Sequence, residues 1–170
     1  MNRIFIPFLF CIFVWFGCNK ESIDVTESVP KFAFYKLADS TINATKAWTI
    51  PLDSLTLSPI PFLTENDLTA YYWQTHSFAA RPHIDTMFSQ LRWLGGKTFG
   101  VPFVVVANGS KIYLAALWWP YSSLIPMGAY IDVSLPPPYI IKRWGMASLP
   151  DMRGDERIHS ALKSAGILVE

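Results

Sequence analysis

The chain has 170 residues, with 14 Lys and Arg against 13 Asp and Glu and a net charge of +1. That balance supplies neither a nucleic-acid footprint nor a polybasic membrane patch. Its two cysteines are Cys11 and Cys18, and the length suits one domain with its own core.

The N-terminal segment carries Arg3, an apolar run from Ile4 to Phe16, Gly17 and Cys18, and then turns abruptly polar at Asn19-Lys20-Glu21. The run is too short for a spanning helix, which needs about 20 residues, and it fits the apolar region of a cleavable export signal. This layout resembles a bacterial lipoprotein signal, with Trp15-Phe16-Gly17-Cys18 at the lipobox. Gly17 and Cys18 match; Trp15 and Phe16 stand where Leu and a small residue are usual. The resemblance implies cleavage before Cys18, a diacylglyceryl thioether on its sulfur and a palmitate-type chain on its amine. The protein would then be anchored in the cell membrane or outer membrane, facing away from the cytoplasm. Ordinary secretion and an uncleaved anchor are the alternatives. Two or more acyl chains hold a protein stably without help from its folded part. Loss of residues 1–17 would also remove Cys11 and Arg3, bringing basic and acidic residues level and leaving one cysteine, itself acylated, so that no disulfide, cysteine nucleophile or thiolate metal site is expected. Residues 18–30 are polar, end in Pro30 and read as a flexible tether.

From Lys31 onward the pattern is that of a folded domain, residues 31–170. Lys31 to Leu37 alternates and is aromatic-rich, which predicts a first strand. Asp39 to Trp48 has room for a helical turn capped by Thr41 or Asn43. Ile50 to Pro61 is proline-rich and predicts extended or loop structure. Thr64 to Leu68 reads as a Thr-capped turn, and Thr69 to Phe78 as a second strand. A helix follows over Asp85 to Leu94, capped by Asp85, with Met87, Phe88, Leu91 and Leu94 on one face and Gly95-Gly96 as its stop. Pro102 to Ala107 and Lys111 to Trp119 are apolar runs joined by Asn108-Gly109, the pair that best tolerates the two positive φ angles of a type I′ hairpin. Tyr130 to Val133 and Tyr139 to Trp144 suggest an edge strand interrupted by Pro136-Pro137-Pro138. Asp155 to Ala165 is the last helix, stopped by Gly166, and Ile167 to Val169 a terminal strand. The order predicts an α+β fold, a mostly antiparallel sheet with helices on one face, for which a ferredoxin-like arrangement is the candidate.

Three pieces carry a second resemblance: Pro61-Phe62-Leu63-Thr64-Glu65-Asn66-Asp67-Leu68, the helix ending near Leu94-Gly95, and the hairpin from Gly100-Val101-Pro102 to Ile112. Together, over roughly residues 61–120, they look like the periplasmic P1 head subdomain of the SecD export subunit. The resemblance implies a fold and a binding-type module. It does not imply a translocase, because that family is multi-pass in the membrane.

Residues with catalytic chemistry are sparse. Gly95-Gly96-Lys97-Thr98 looks like the end of a phosphate-binding loop, but Leu91 stands where the earlier glycine belongs, and the segment follows a helix instead of a strand; it reads as a helix stop. His83 and Asp85 sit two apart, short of the three or four converging ligands a metal needs, and His76 reads as a half-buried strand residue. No cofactor or metal is expected. The densest polar cluster is Asp151, Arg153, Asp155, Glu156, Arg157 and His159. Within it, Asp155 and His159 share a helical face, and such a pair would serve a hydrolase as a base. Acidic groups complementing the helix dipole are the stronger account of the cluster, and no G-x-S-x-G elbow offers a nucleophile. Trp118, Trp119 and Tyr121 close the hairpin; alternation buries one Trp and exposes the other. Core packing is the leading reading of this group, and the three are also the candidate interaction patch for an envelope protein, peptide or glycan. The leading expectation is a non-catalytic, lipid-anchored binding domain. An envelope hydrolase using Asp155 and His159, and strand addition at an edge formed by Tyr130 to Val133, are the alternatives.

Overall fold

Asn108 and Gly109 set the centre of the fold. In the computed structural model, which describes residues 29–93, 98–145 and 149–170, both take positive φ, 48° and 77°, as a type I′ turn requires. The proposed signal, Cys18 and the Gly95-Gly96-Lys97 segment lie outside the described residues.

In chain order the elements are β1 (Phe32–Lys36), α1 (Ala44–Ala47), β2 (Leu63–Thr64), β3 (Leu68–Tyr72), β4 (Ser77–Ala80), α2 (Pro82–Trp93), β5 (Val101–Ala107), β6 (Ser110–Trp118), β7 (Ala129–Asp132), β8 (Tyr139–Arg143), α3 (Glu156–Ser164) and β9 (Leu168–Val169). The strands form one sheet in the order β2-β1-β5-β6-β7-β8-β4-β3-β9. Two pairings, β6–β7 and β3–β9, are parallel; the rest are antiparallel. The fold is therefore α+β with a large, mostly antiparallel sheet. Its order does not reproduce the ferredoxin-like arrangement expected from the sequence.

The sheet curls until its two halves touch. Phe32 of β1 meets Tyr71 of β3 with ring centroids 5.9 Å apart, and Phe34 meets Phe78 at the same distance. Both contacts are near edge-on, the geometry that ring quadrupoles favour. Into this interior α2 inserts Ile84 and Phe88, the latter stacked on Tyr139 at 4.3 Å, and α3 inserts Ile158, Ala161 and Leu162.

The outer face of β5 and β6 is covered as well. Val104 and Val106 pack under Leu37, Ala47 and Leu55, while Ala116 and Trp118 pack under Ala44 and Trp48. Helices thus lie on both faces of this part of the sheet, not on one. The physical reason was present in the sequence: β5 and β6 are near-continuous apolar runs, the pattern of strands buried on both sides.

Other boundaries shift for local reasons. The cap of α1 is Asn43, whose side chain accepts from Lys46 N. Thr64 and Asp67 form the expected capped turn, with Thr64 N donating to Asp67 Oδ2 at 2.7 Å. The stretch Thr69 to Phe78 is two strands, because Trp73–Thr75 makes a tight turn that ends at His76 in the left-handed region, φ 47°. His76 is therefore a turn residue and not a strand residue. Helix α2 starts at Pro82, whose missing N–H costs nothing at a first helical position, so Asp85 lies within the first turn and is not the cap. The supposed edge strand is interior: β7 pairs with β6 on one side and β8 on the other, which removes Tyr130 to Val133 as a site for strand addition. No helix among the described residues is long and apolar enough to cross a membrane.

Candidate functional site

Strand β7 reaches β6 only from Ala115 onward. Ile112 to Leu114 therefore has no strand on that side, and the gap is closed by the chain after α1 and by residues 149–152. Together these segments enclose a cavity of about 370 Å³, within the range of small-molecule sites. Leu52, Ile112, Leu114, Leu149 and Met152 supply apolar wall; Trp48, Tyr113, Arg143 and Asp151 supply the polar groups.

Trp48 is 6% exposed and sits at the C-terminal end of α1, its ring 5.8 Å from that of Trp118. Its indole Nε1 is buried with no hydrogen-bond partner among the described residues. Gly128 makes this placement possible, since a Cβ there would lie 2.7 Å from Nε1. Tyr113, 7% exposed, has a hydroxyl that is likewise buried without a partner. Burial pushes its pKa well above the usual value, so it stays a neutral phenol.

The far wall is an arginine–carboxylate lattice. Arg143 donates to Leu149 O at 2.7 Å. Arg153 holds Asp151 through two parallel bonds, Nε to Oδ1 at 2.9 Å and Nη2 to Oδ2 at 2.7 Å, the fork geometry that makes such pairs strong. Its third nitrogen, Nη1, donates to Ile141 O at 2.8 Å. Ile141 N already donates to His76 O, so Arg153 extends the β8 ladder past the start of β4.

These Arg153 hydrogen bonds, aided by the Arg153 and Arg143 charges, bring the Asp151 pKa down to about 2 against the opposing effect of burial. A depressed carboxyl contributes stability above its unfolded pKa of about 3.9 and loses it as pH falls through the folded value. Asp151 is 41% exposed, and solvent screening limits the contribution to below about 1 kcal/mol. Urea midpoints measured between about pH 4 and about pH 2 are expected to fall less steeply in Asp151→Asn than in the parent. Equal slopes would show that the pair does not stabilise the fold.

A larger cavity of about 750 Å³ lies between Lys36–Asn43 and Thr98–Pro102. Size favours it, but Asp39 Oδ1 already accepts from Thr41 N and Oγ1, and Asn43 caps α1. The smaller cavity has the buried groups still lacking partners and is the better site.

The residues singled out in the sequence fare differently. Trp118 and Trp119 are both buried, at 5% and 3% exposure, while Tyr121 is 61% exposed. On a strand covered on both sides, alternation selects which core a side chain enters and not whether it meets water. Trp118 joins Trp48 on the outer face; Trp119 enters the inner core and donates Nε1–H to Leu91 O at 3.2 Å. The three do not form one exposed aromatic patch. Asp155 caps α3 and accepts from Arg157 N and its guanidinium at 2.8–2.9 Å. His159 Nε2 lies instead 3.1 Å from Glu170 Oε1, with its ring edge-on to Trp73 at 4.9 Å. Asp155 and His159 do not make the dyad. His83 pairs with Asp67 at 2.9 Å and not with Asp85. His76 Nδ1 is buried without a partner, and burial, with Arg153 nearby, lowers its pKa. Among the described residues no three His, Cys, Asp or Glu side chains converge as metal ligands.

Sequence reading missed Trp48, Tyr113 and Arg143. The one advance sign was Gly128 at the head of a strand, where a glycine marks close approach of another group. No protein-family model, curated protein or solved structure matches the chain.

Proposed function

We propose that the protein is a membrane-anchored lipoprotein of the cell envelope, held by acyl chains on Cys18, whose α+β domain is a non-catalytic binding module. Supporting the address are the order of Arg3, apolar run, Gly17 and Cys18 and the polar tether that follows. The observation that carries the binding role is the cavity at the β6–β7 gap, with its buried and unpartnered Trp48 N–H. Buried polar groups are normally satisfied, and an orphaned donor on a ligand-sized cavity is a reason to expect an occupant. The separate engagement of Asp155 by Arg157 and of His159 by Glu170 favours binding over the hydrolase reading. The stretch that resembles the SecD head, residues 61–120, runs from β2 through β6 and supplies part of this cavity from β6, in keeping with a binding-type module.

Intact mass of the protein recovered from membranes tests the address. The expected product begins at Cys18 and carries the added mass of its acyl chains. In Cys18→Ala that mass is absent. A product still beginning at Met1 and free in the cytosol would overturn the reading.

A further inference from the structure

We propose that the cavity at the β6–β7 gap binds an uncharged apolar molecule with a single hydrogen-bond acceptor, such as a long-chain ketone or ester, its hydrocarbon body against Leu52, Ile112, Leu114 and Met152 and its acceptor on Trp48 Nε1–H. This rests on the reading of the domain as a binding module and names the chemical class of its ligand.

The charged side chains on the lining are Arg143 and Asp151, and both are engaged within the protein. Arg143 donates to Leu149 O at 2.7 Å, and Arg153 holds both oxygens of Asp151. A charged ligand would give up its hydration with no opposite charge set aside for it, and such burial is costly. The Thr49 hydroxyl donates to Lys46 O. The Tyr113 hydroxyl, buried and neutral, can donate or accept and so selects neither. Trp48 differs from these. Its Nε1–H is buried with no partner among the described residues, and an indole N–H donates and never accepts. Gly128, also on the lining, sets no side chain over it, since a Cβ there would stand 2.7 Å from Nε1. What completes this group must bring an acceptor and needs no charge. The rest of the wall is aliphatic, which suits a hydrocarbon body and disfavours a ligand with many hydroxyls such as a sugar. The volume of about 370 Å³ is roughly two and a half times the ~150 Å³ that holds a benzene ring, which leaves room for about a dozen heavy atoms.

Photolabelling of the full-length protein in membrane suspension with a diazirine-bearing 2-undecanone tests this. The competitors are unlabelled 2-undecanone, dodecane, decanoate and undecylamine, which match in heavy-atom count and differ in acceptor and charge. Label is expected on peptides spanning Trp48–Leu52 or Ile112–Leu114. The ketone is expected to protect them at about one-tenth of the membrane concentration that dodecane requires, the effect of satisfying one buried donor. Decanoate and undecylamine are expected to protect no better than dodecane. Trp48→Phe keeps an aromatic ring and removes the donor, and is expected to erase the advantage of ketone over alkane. Equal protection by ketone and dodecane, or protection by decanoate or undecylamine as strong as by the ketone, would overturn the ligand class and leave a binding cavity. An advantage retained in folded Trp48→Phe would overturn the assignment of the acceptor to the indole. If that variant unfolds, the competition series on the parent decides. Label spread evenly over exposed peptides, with none protected by any competitor, would overturn the binding reading itself. The same series on Cys18→Ala separates the cavity from the proposed address, since protection without acylation leaves the cavity assignment standing.

Discussion

Phe34→Ala is expected to destabilise the domain by about 4 kcal/mol, measured as the loss in unfolding free energy in urea. Phe34 is fully buried where the two halves of the curled sheet meet. Its ring lies 5.3 Å from Phe32, 4.9 Å from Phe103, 5.9 Å from Phe78 and 6.0 Å from Phe62. Truncation forfeits the transfer free energy of the ring and leaves a hole that four rigid aromatic neighbours cannot close by rotating about single bonds. Phe34→Leu retains most of the volume and is expected to cost about 1.5 kcal/mol. A loss under about 1 kcal/mol for the alanine variant would show that β1 and β4 do not pack through this ring.

Gly100→Ala is expected to cost about 3 kcal/mol, from two effects that add. Gly100 has φ +68°, where a side chain is strained. Its added Cβ would also lie 2.6 Å from Trp118 Cε3, 2.7 Å from Cζ3 and 3.1 Å from Leu117 O. The indole cannot swing away freely, because the Trp48 ring lies against it, tilted by 35° with centroids 5.8 Å apart. Gly109→Ala isolates the first effect: its φ is +77° but nothing lies within 4 Å of the new Cβ, and about 1 kcal/mol is expected. Melting temperatures of the two variants give the comparison; equal losses would mean that contact with Trp118 is unimportant.

What the sequence makes legible is local chemistry. Asn108-Gly109 fixes its own turn, and Thr64 and Asp67 close a capped turn within three residues of each other. The β3–β4 turn escapes because Trp-Gln-Thr-His carries no Gly, Pro or Asn to mark it, and left-handed His76 is a conformation that side chains seldom announce. The place of β7 escapes because its parallel pairing with β6 is decided by the sheet as a whole. The site escapes for the same reason. Trp48, Tyr113, Gly128, Arg143 and Asp151 come from five separate stretches of chain, and no spacing within any one of them signals the others. Trp118 and Trp119 mislead because alternation presumes a strand with one wet face.

The pairing of β1 with β5, and the hydrogen bond from Lys31 Nζ to Ser164 O, also bear on synthesis. The aromatic face of the first strand is completed by groups made much later, including Ile158, Ala161 and Leu162 of α3. A growing polypeptide holds no finished subset of this architecture as it leaves the ribosome, and such remote pairings form slowly in any case. The packing of the first strand is therefore complete only once α3, at the far end of the domain, has been made.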